Sequence, residues 1–214
     1  MTAPRLLAAC ALVLVLAACT PSSTTAQLPQ PIDTAGTGLA RQALAEPVPR
    51  PHTDLVGTDG EPFDLAEATA GKPALVFMGY TSCPDICPVH MAAIARALDE
   101  TGLRAGRDLD VVFISVDPDR DSPEVLRTFL DAFDPGFTGA TGSREALDAL
   151  ADDLGLPQAV LEGDPDSGEY YTVGHPGQVL AFGPDGPAEF QYPFGVRTSH
   201  WIADLPDLVE GTLT

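Results

Sequence analysis

The run Tyr80-Thr81-Ser82-Cys83-Pro84-Asp85-Ile86-Cys87-Pro88 joins an apolar stretch of strand character, Ala74-Leu75-Val76-Phe77-Met78-Gly79, to a stretch of helical character that opens with Pro88. A continuous apolar run bounded by turn residues reads as a strand buried on both faces, and a helix following it directly reads as the start of an α/β unit. The junction is therefore the place where a thiol pair meets a helix N-terminus. Partial positive charge there favours thiolate over thiol. Cys83 and Cys87 are thus candidates for holding a soft metal or for exchanging a disulfide.

The other two of the four cysteines, Cys10 and Cys19, fall in an N-terminal leader. Arg5 supplies a short positive region, and Leu6 to Ala17 form an apolar core too short for a comfortable membrane span. The leader ends Leu16-Ala17-Ala18-Cys19, which resembles a bacterial lipoprotein signal. The resemblance implies a signal peptide over 1–18, acylation of Cys19, and retention on the extracytoplasmic side of a membrane in the cell envelope. An ordinary secretory peptide with an incidental Cys19 is the alternative.

Residues 19–50 are rich in Ser, Thr, Pro, Ala and Gln without a sustained apolar period, and read as a flexible linker. Residues 51–214 have the size of one globular domain. The formal net charge of −20 excludes nucleic acid as a partner, since phosphates would be repelled.

Along the domain, Asp54 to Leu65 alternates around Asp59-Gly60 and predicts a hairpin. Pro88 to Thr101 is predicted helical and Asp110 to Val116 is the clearest strand. Ser122 caps a helix with Pro123 at its first position, running to Phe133. A short strand at Phe137 to Thr141 and a helix from Ser143 to Leu154 follow. Gln158–Leu161 and Tyr170–Val173 read as a hairpin, Gln178–Phe182 as a strand, and Thr198–Thr214 as a helix interrupted by Pro206. Strands alternating with helices predict an α/β fold with a largely parallel centre and antiparallel edges. Cys83 and the loop from Asp117 both follow strands, so they are expected to face one crevice.

With these elements in order, the chain resembles the Sco/SenC family of copper proteins. Several separated stretches carry the resemblance: Leu75 to Pro88, Val112-Phe113-Ile114-Ser115-Val116-Asp117-Pro118-Asp119-Arg120-Asp121-Ser122-Pro123, Ala132-Phe133-Asp134-Pro135 then Thr141-Gly142, and Tyr171-Thr172-Val173-Gly174-His175 ahead of Asp185-Gly186. The resemblance implies a thioredoxin-like fold, a central mixed sheet flanked by helices with additional β-hairpins. It also implies a copper centre of Cys83, Cys87 and His175. The implied role is a metallochaperone for the binuclear copper site of cytochrome c oxidase subunit II, with another copper chaperone or a thiol reductant as further partners. Gly174 and Pro176 flank His175 where the family usually has an acidic and a small polar residue. His90 stands where the family more often has Glu.

Two thiolates and one imidazole suit Cu(I) and accept Cu(II). Structural zinc normally takes four protein ligands, and His90 is read as a solvent-facing helix residue instead of a fourth one. His52 and His200 are read as surface or packing residues. Asp85 is equally a cap of the loop and a tuner of the thiols, and Asp117 is read as ending its strand and orienting its loop. Outside the cytoplasm the pair can form a Cys83–Cys87 disulfide, so a thiol-disulfide oxidoreductase is the second function expected. Thioredoxin-type motifs place two residues between the cysteines, and here there are three.

Overall fold

The computed structural model describes residues 41–164 and 170–214. The expected signal peptide, Cys10, Cys19 and most of the expected linker lie outside the described residues. The elements follow in chain order: β1 (Gln42–Val48), β2 (Leu55–Gly57), β3 (Pro62–Phe63), α1 (Leu65–Ala68), β4 (Ala74–Gly79) and α2 (Ile86–Thr101). After these come β5 (Asp110–Ser115), α3 (Pro123–Asp131), β6 (Thr138–Thr141), α4 (Arg144–Asp153), β7 (Val160–Glu162), β8 (Thr172–Gly174), β9 (Val179–Phe182), β10 (Ala188–Tyr192) and α5 (Thr198–Glu210).

Among the described residues one sheet has eight strands in the order β1-β10-β9-β4-β5-β6-β2-β3, and β7 and β8 form a separate pair. β4, β5 and β6 run parallel, with Phe77 beside Phe113 and Ile114 beside Ala140. Every residue of β4 and β5 is buried, as their unbroken apolar runs require. β9 pairs antiparallel with β4, so this strand lies inside the sheet, not at an edge. The two hairpins expected around Asp59-Gly60 and between residues 158 and 173 are present as β2–β3 and β7–β8.

Side-chain caps set where the helices begin. Ser122 accepts from the Val125 amide and Ser143 from the Ala146 amide, each satisfying a donor that the helix itself leaves free. Gly102 and Gly211 end α2 and α5 in the left-handed conformation, at φ 74° and 68°. α5 runs through Pro206 instead of being interrupted there. It packs along α2, and buried Trp201, Leu205 and Leu208 hold it in place despite the lost backbone donor.

The linker expected to run to residue 50 ends earlier. Gln42–Val48 is an edge strand of the main sheet, antiparallel to β10. Its mixture of exposed and half-buried residues and its proline, Pro47, hide the strand in the sequence, and pairing to β10 supplies what the pattern lacks. No helix among the described residues is long and apolar enough to cross a membrane.

Candidate metal centre

β4 ends at Gly79 and the chain turns through Tyr80–Asp85 into α2. Asp121 holds the first part of this turn, accepting from the Thr81 amide at 2.8 Å, the Thr81 hydroxyl at 2.6 Å and the Ser115 hydroxyl at 2.6 Å. Asp85 is the cap of α2, its carboxylate accepting from the Ile86 amide at 2.6 Å. The helix therefore starts two residues before Pro88. A proline is tolerated here because the first turn has no carbonyl for its amide to meet. Cys83 thus sits in the loop and Cys87 in the first turn of the helix, which begins ahead of the Pro88 expected from the sequence.

Cys87 is fully buried and Cys83 is 7% exposed, and both thiols are free. Gly79 makes room for the inner sulfur: a Cβ at this residue would lie 2.6 Å from the Cys87 Sγ. The Cys83 thiol is depressed to about 3, chiefly by a hydrogen bond from the Cys87 thiol, with the Cys87 and Asp85 amides assisting against burial. Burial pushes the Cys87 thiol up, and the neighbouring Cys83 sulfur pushes it further. The surroundings thus favour the thiolate at Cys83 and the thiol at Cys87. The Asp85 carboxylate, 3.9 Å from the Cys83 Sγ, can accept only from a protonated sulfur and so contributes little once Cys83 ionises.

His175 enters from the loop joining β8 to β9. Its Nδ1 lies 3.0 Å from the Met78 carbonyl oxygen and 2.9 Å from that of Pro176. Carbonyls only accept, so Nδ1 carries the proton and Nε2 presents a lone pair. That nitrogen stands 3.7 Å from the Cys83 Sγ and 3.6 Å from the Cys87 Sγ. The Phe77 and Tyr80 rings meet the imidazole edge-on, with centroids 5.8 Å and 5.5 Å away. The three ligand atoms all lie within 4.8 Å of one another. Sulfur–nitrogen separations of this size suit one ion at about 2.3 Å from sulfur and about 2.0 Å from nitrogen, as around zinc. Among the described residues the cluster is two cysteines and one histidine, one ligand short of a structural zinc site.

The loop from Asp117 faces the same crevice. Buried Asp117 accepts from the Tyr171 hydroxyl at 2.8 Å and pairs with Arg120. Arg120 donates to the Tyr171 carbonyl at 3.0 Å and stacks over the Tyr171 ring, 3.6 Å from its centroid. Asp117 thus does more than end β5: it fixes the residue four positions before His175. Tyr170 adds a bond from its hydroxyl to the Ser82 carbonyl at 3.0 Å.

His90 is where the sequence reading fails. It is buried, not solvent-facing, with Nε2 3.1 Å from the Gly177 carbonyl oxygen. It is also outside the ligand cluster, as expected. His52 is exposed beside Asp64, and His200 is half-buried in α5; neither joins the centre. Gly79 and Asp121 went unrecognised. The one signal available was a glycine closing the apolar run directly before the thiol turn.

The profile of the SCO1/SenC family matches residues 43–210. A mitochondrial SCO1 homolog of Homo sapiens is 34% identical over 146 residues, covering 64% of this chain and 47% of that protein. A relative in Stutzerimonas stutzeri is 37% identical over 139 residues, and the match spans 65% of its length. The chain therefore spans about half to two thirds of the curated relatives it matches. Among solved structures, ScoI of Arabidopsis thaliana with copper bound superposes with a TM-score of 0.66 at 27% identity, over 77% of this chain and 99% of that one. ScoI of Bradyrhizobium japonicum with copper bound gives 0.62 at 29% identity, over 75% and 99%. The thioredoxin-like arrangement of these neighbours is the one described above, and the matched stretch takes in both cysteines and His175. The chain belongs to the SCO1/SenC family.

Proposed function

We propose that the protein is a copper carrier that holds the ion by Cys83, Cys87 and His175 and delivers it to the binuclear copper site of cytochrome c oxidase subunit II. The observation that carries this reading is the convergence of two sulfurs and an imidazole nitrogen whose tautomer is already set for ligation. Soft thiolates with one imidazole favour Cu(I) and accommodate Cu(II). Two ligands share one rigid junction and the third stands on a separate loop, so His175 can leave while the sulfurs retain the ion. Copper-bound solved relatives support the choice of metal. Copper titration of the reduced protein, read by absorption and paramagnetic resonance, is expected to give one equivalent for the wild type. H175A is expected to bind at least tenfold more weakly, as loss of one ligand of three implies. Equal retention by H175A would sink the three-ligand reading.

The split ionisation of the cysteines supports a second reading, a thiol-disulfide oxidoreductase. The Cys83 thiolate would attack a disulfide of the oxidase subunit or another envelope protein, forming a mixed disulfide and releasing one thiolate. Cys87, giving up its proton, would then attack Cys83 and release the second, leaving a Cys83–Cys87 disulfide and a reduced partner. This cycle does not use His175, so H175A should reduce a disulfide substrate at the wild-type rate if the second reading is the working one. The leader supports anchoring of the chain at the cell envelope by acylated Cys19, which C19S is expected to abolish in membrane fractionation.

A further inference from the structure

His90 is a buried polar side chain that the ligand set does not use. It follows Cys87 by three residues on α2, so its imidazole and the Cys87 sulfur project from the same side of one helical turn. Its Nε2 lies 3.1 Å from the Gly177 carbonyl oxygen, two residues beyond His175. That oxygen can only accept, so the proton is on Nε2. The ring packs against Phe77 at 5.1 Å between centroids and against Phe194 at 5.7 Å. Phe77 in turn meets the His175 ring. Burial lowers the basicity of His90 and keeps it a neutral donor.

The loop it grips needs a tie. On one side it leads from β8, which among the described residues pairs with β7 alone, and a two-stranded pair is marginal by itself. On the other it enters β9 inside the main sheet. The His175 ring bonds to the Met78 carbonyl, and among the described residues His90 is the α2 side chain that donates to the residues following it.

We propose that His90 is a positioning residue of the metal centre: its bond to the Gly177 carbonyl fastens the His175 loop to the same helix that carries Cys87. The sulfur and the imidazole nitrogen are then referenced to one rigid element, and their separation does not drift with the small β7–β8 pair. This inference rests on the copper reading above, but half of its test needs no metal.

The experiment compares the wild type with H90F, which keeps a ring against Phe77 and Phe194 and removes the donor, and with H90Q, which keeps a donor. Backbone order parameters are measured by NMR on the metal-free protein, and Cu(I) affinity by competition with a chromophoric chelator. H90F is expected to lower the order parameters of His175 and Gly177 below the rigid-backbone value of about 0.85. It should also weaken Cu(I) binding about tenfold, the usual scale for a residue that orients a ligand. H90Q should stay near the wild type, and in an H175A background H90F should change the affinity no further. An unchanged loop in H90F, an H90Q as impaired as H90F, or an equal loss with and without His175 would overturn the proposal. Should H90F not fold, H90M takes its place with the same expectations. Equal Cu(I) affinity of the wild type and H175A would instead refute the three-ligand reading, and the metal-free measurement would still decide whether His90 holds the loop.

Discussion

Gly79 closes β4 without a side chain because the Cys87 sulfur occupies the space a Cβ would need, with the Phe113 ring 3.1 Å from the same point. The conflict is with a fixed sulfur and a packed ring, so relaxation must move the Cys87 sulfur itself. G79A is expected to destabilise the fold by about 1–3 kcal/mol, the range for overpacking. The variant should also lose Cu(I) affinity, and urea unfolding with chelator competition reads both effects. Wild-type affinity in G79A would show that the site tolerates displacement of Cys87. At this scale the thiol pair was legible because its spacing and its place between strand and helix are local properties. His175 was legible only through the family resemblance, since it lies 88 residues beyond Cys87 in sequence. His90 was misread because helix periodicity locates a side but not what covers it. The cover is a loop from residues 175–178, remote in sequence and brought over α2 by β9.

α1 has only four residues, too few for intrinsic helical stability, and depends on its cap. The Asp64 carboxylate accepts from the Glu67 amide at 2.8 Å and the Thr53 amide at 2.9 Å, and pairs with His52. Burial works to raise its pKa, but these contacts outweigh it and hold the carboxyl below its ordinary value. A carboxyl depressed in the folded state adds stability above its unfolded pKa of about 3.9 and loses it as pH falls through the folded value. D64A is therefore expected to cost about 1 kcal/mol at pH 7. The difference from the wild type should shrink below pH 4, as urea midpoints at the two pH values would show. A gap that persists in acid would assign the loss to packing. The elements the sequence displayed best were those with one dominant pattern: β4 and β5 as unbroken apolar runs, α3 and α4 by their Ser caps. β10, in which buried Ala188 and Tyr192 flank exposed Glu189 and two half-buried residues, offers no such pattern, and pairing with β9 and β1 makes it a strand.

Across the molecule, Arg41 ties the beginning of the domain to its end. Its guanidinium meets the Asp204 carboxylate at 3.2 Å and the Thr214 carbonyl, while the Tyr192 hydroxyl donates to the same carboxylate at 2.9 Å. Burial raises the Asp204 pKa against the opposing pull of Tyr192 and Arg41. A chain begun at Pro51, the boundary read from composition, would lose β1 and Arg41 together. Asp204 would remain buried without its cation, and β10 would become an open edge. Relative to a chain begun at residue 38, it is expected to lose about 3–5 kcal/mol, the scale for breaking a buried pair. Chemical unfolding and size-exclusion chromatography would show the loss and any edge-driven association; coincident midpoints would make β1 dispensable. The sequence by itself determined the α/β class, the parallel core, the helix caps and the thiol pair, because each follows from residues within a few positions of one another. Only the tertiary structure decided which histidine stands beside the two sulfurs and which is buried against the following loop, that residues 42–48 join the sheet, and that burial sets the acidities of the two thiols apart. Those outcomes depend on burial and on contacts between segments distant in the chain, whose energies exist only once the sheet has assembled.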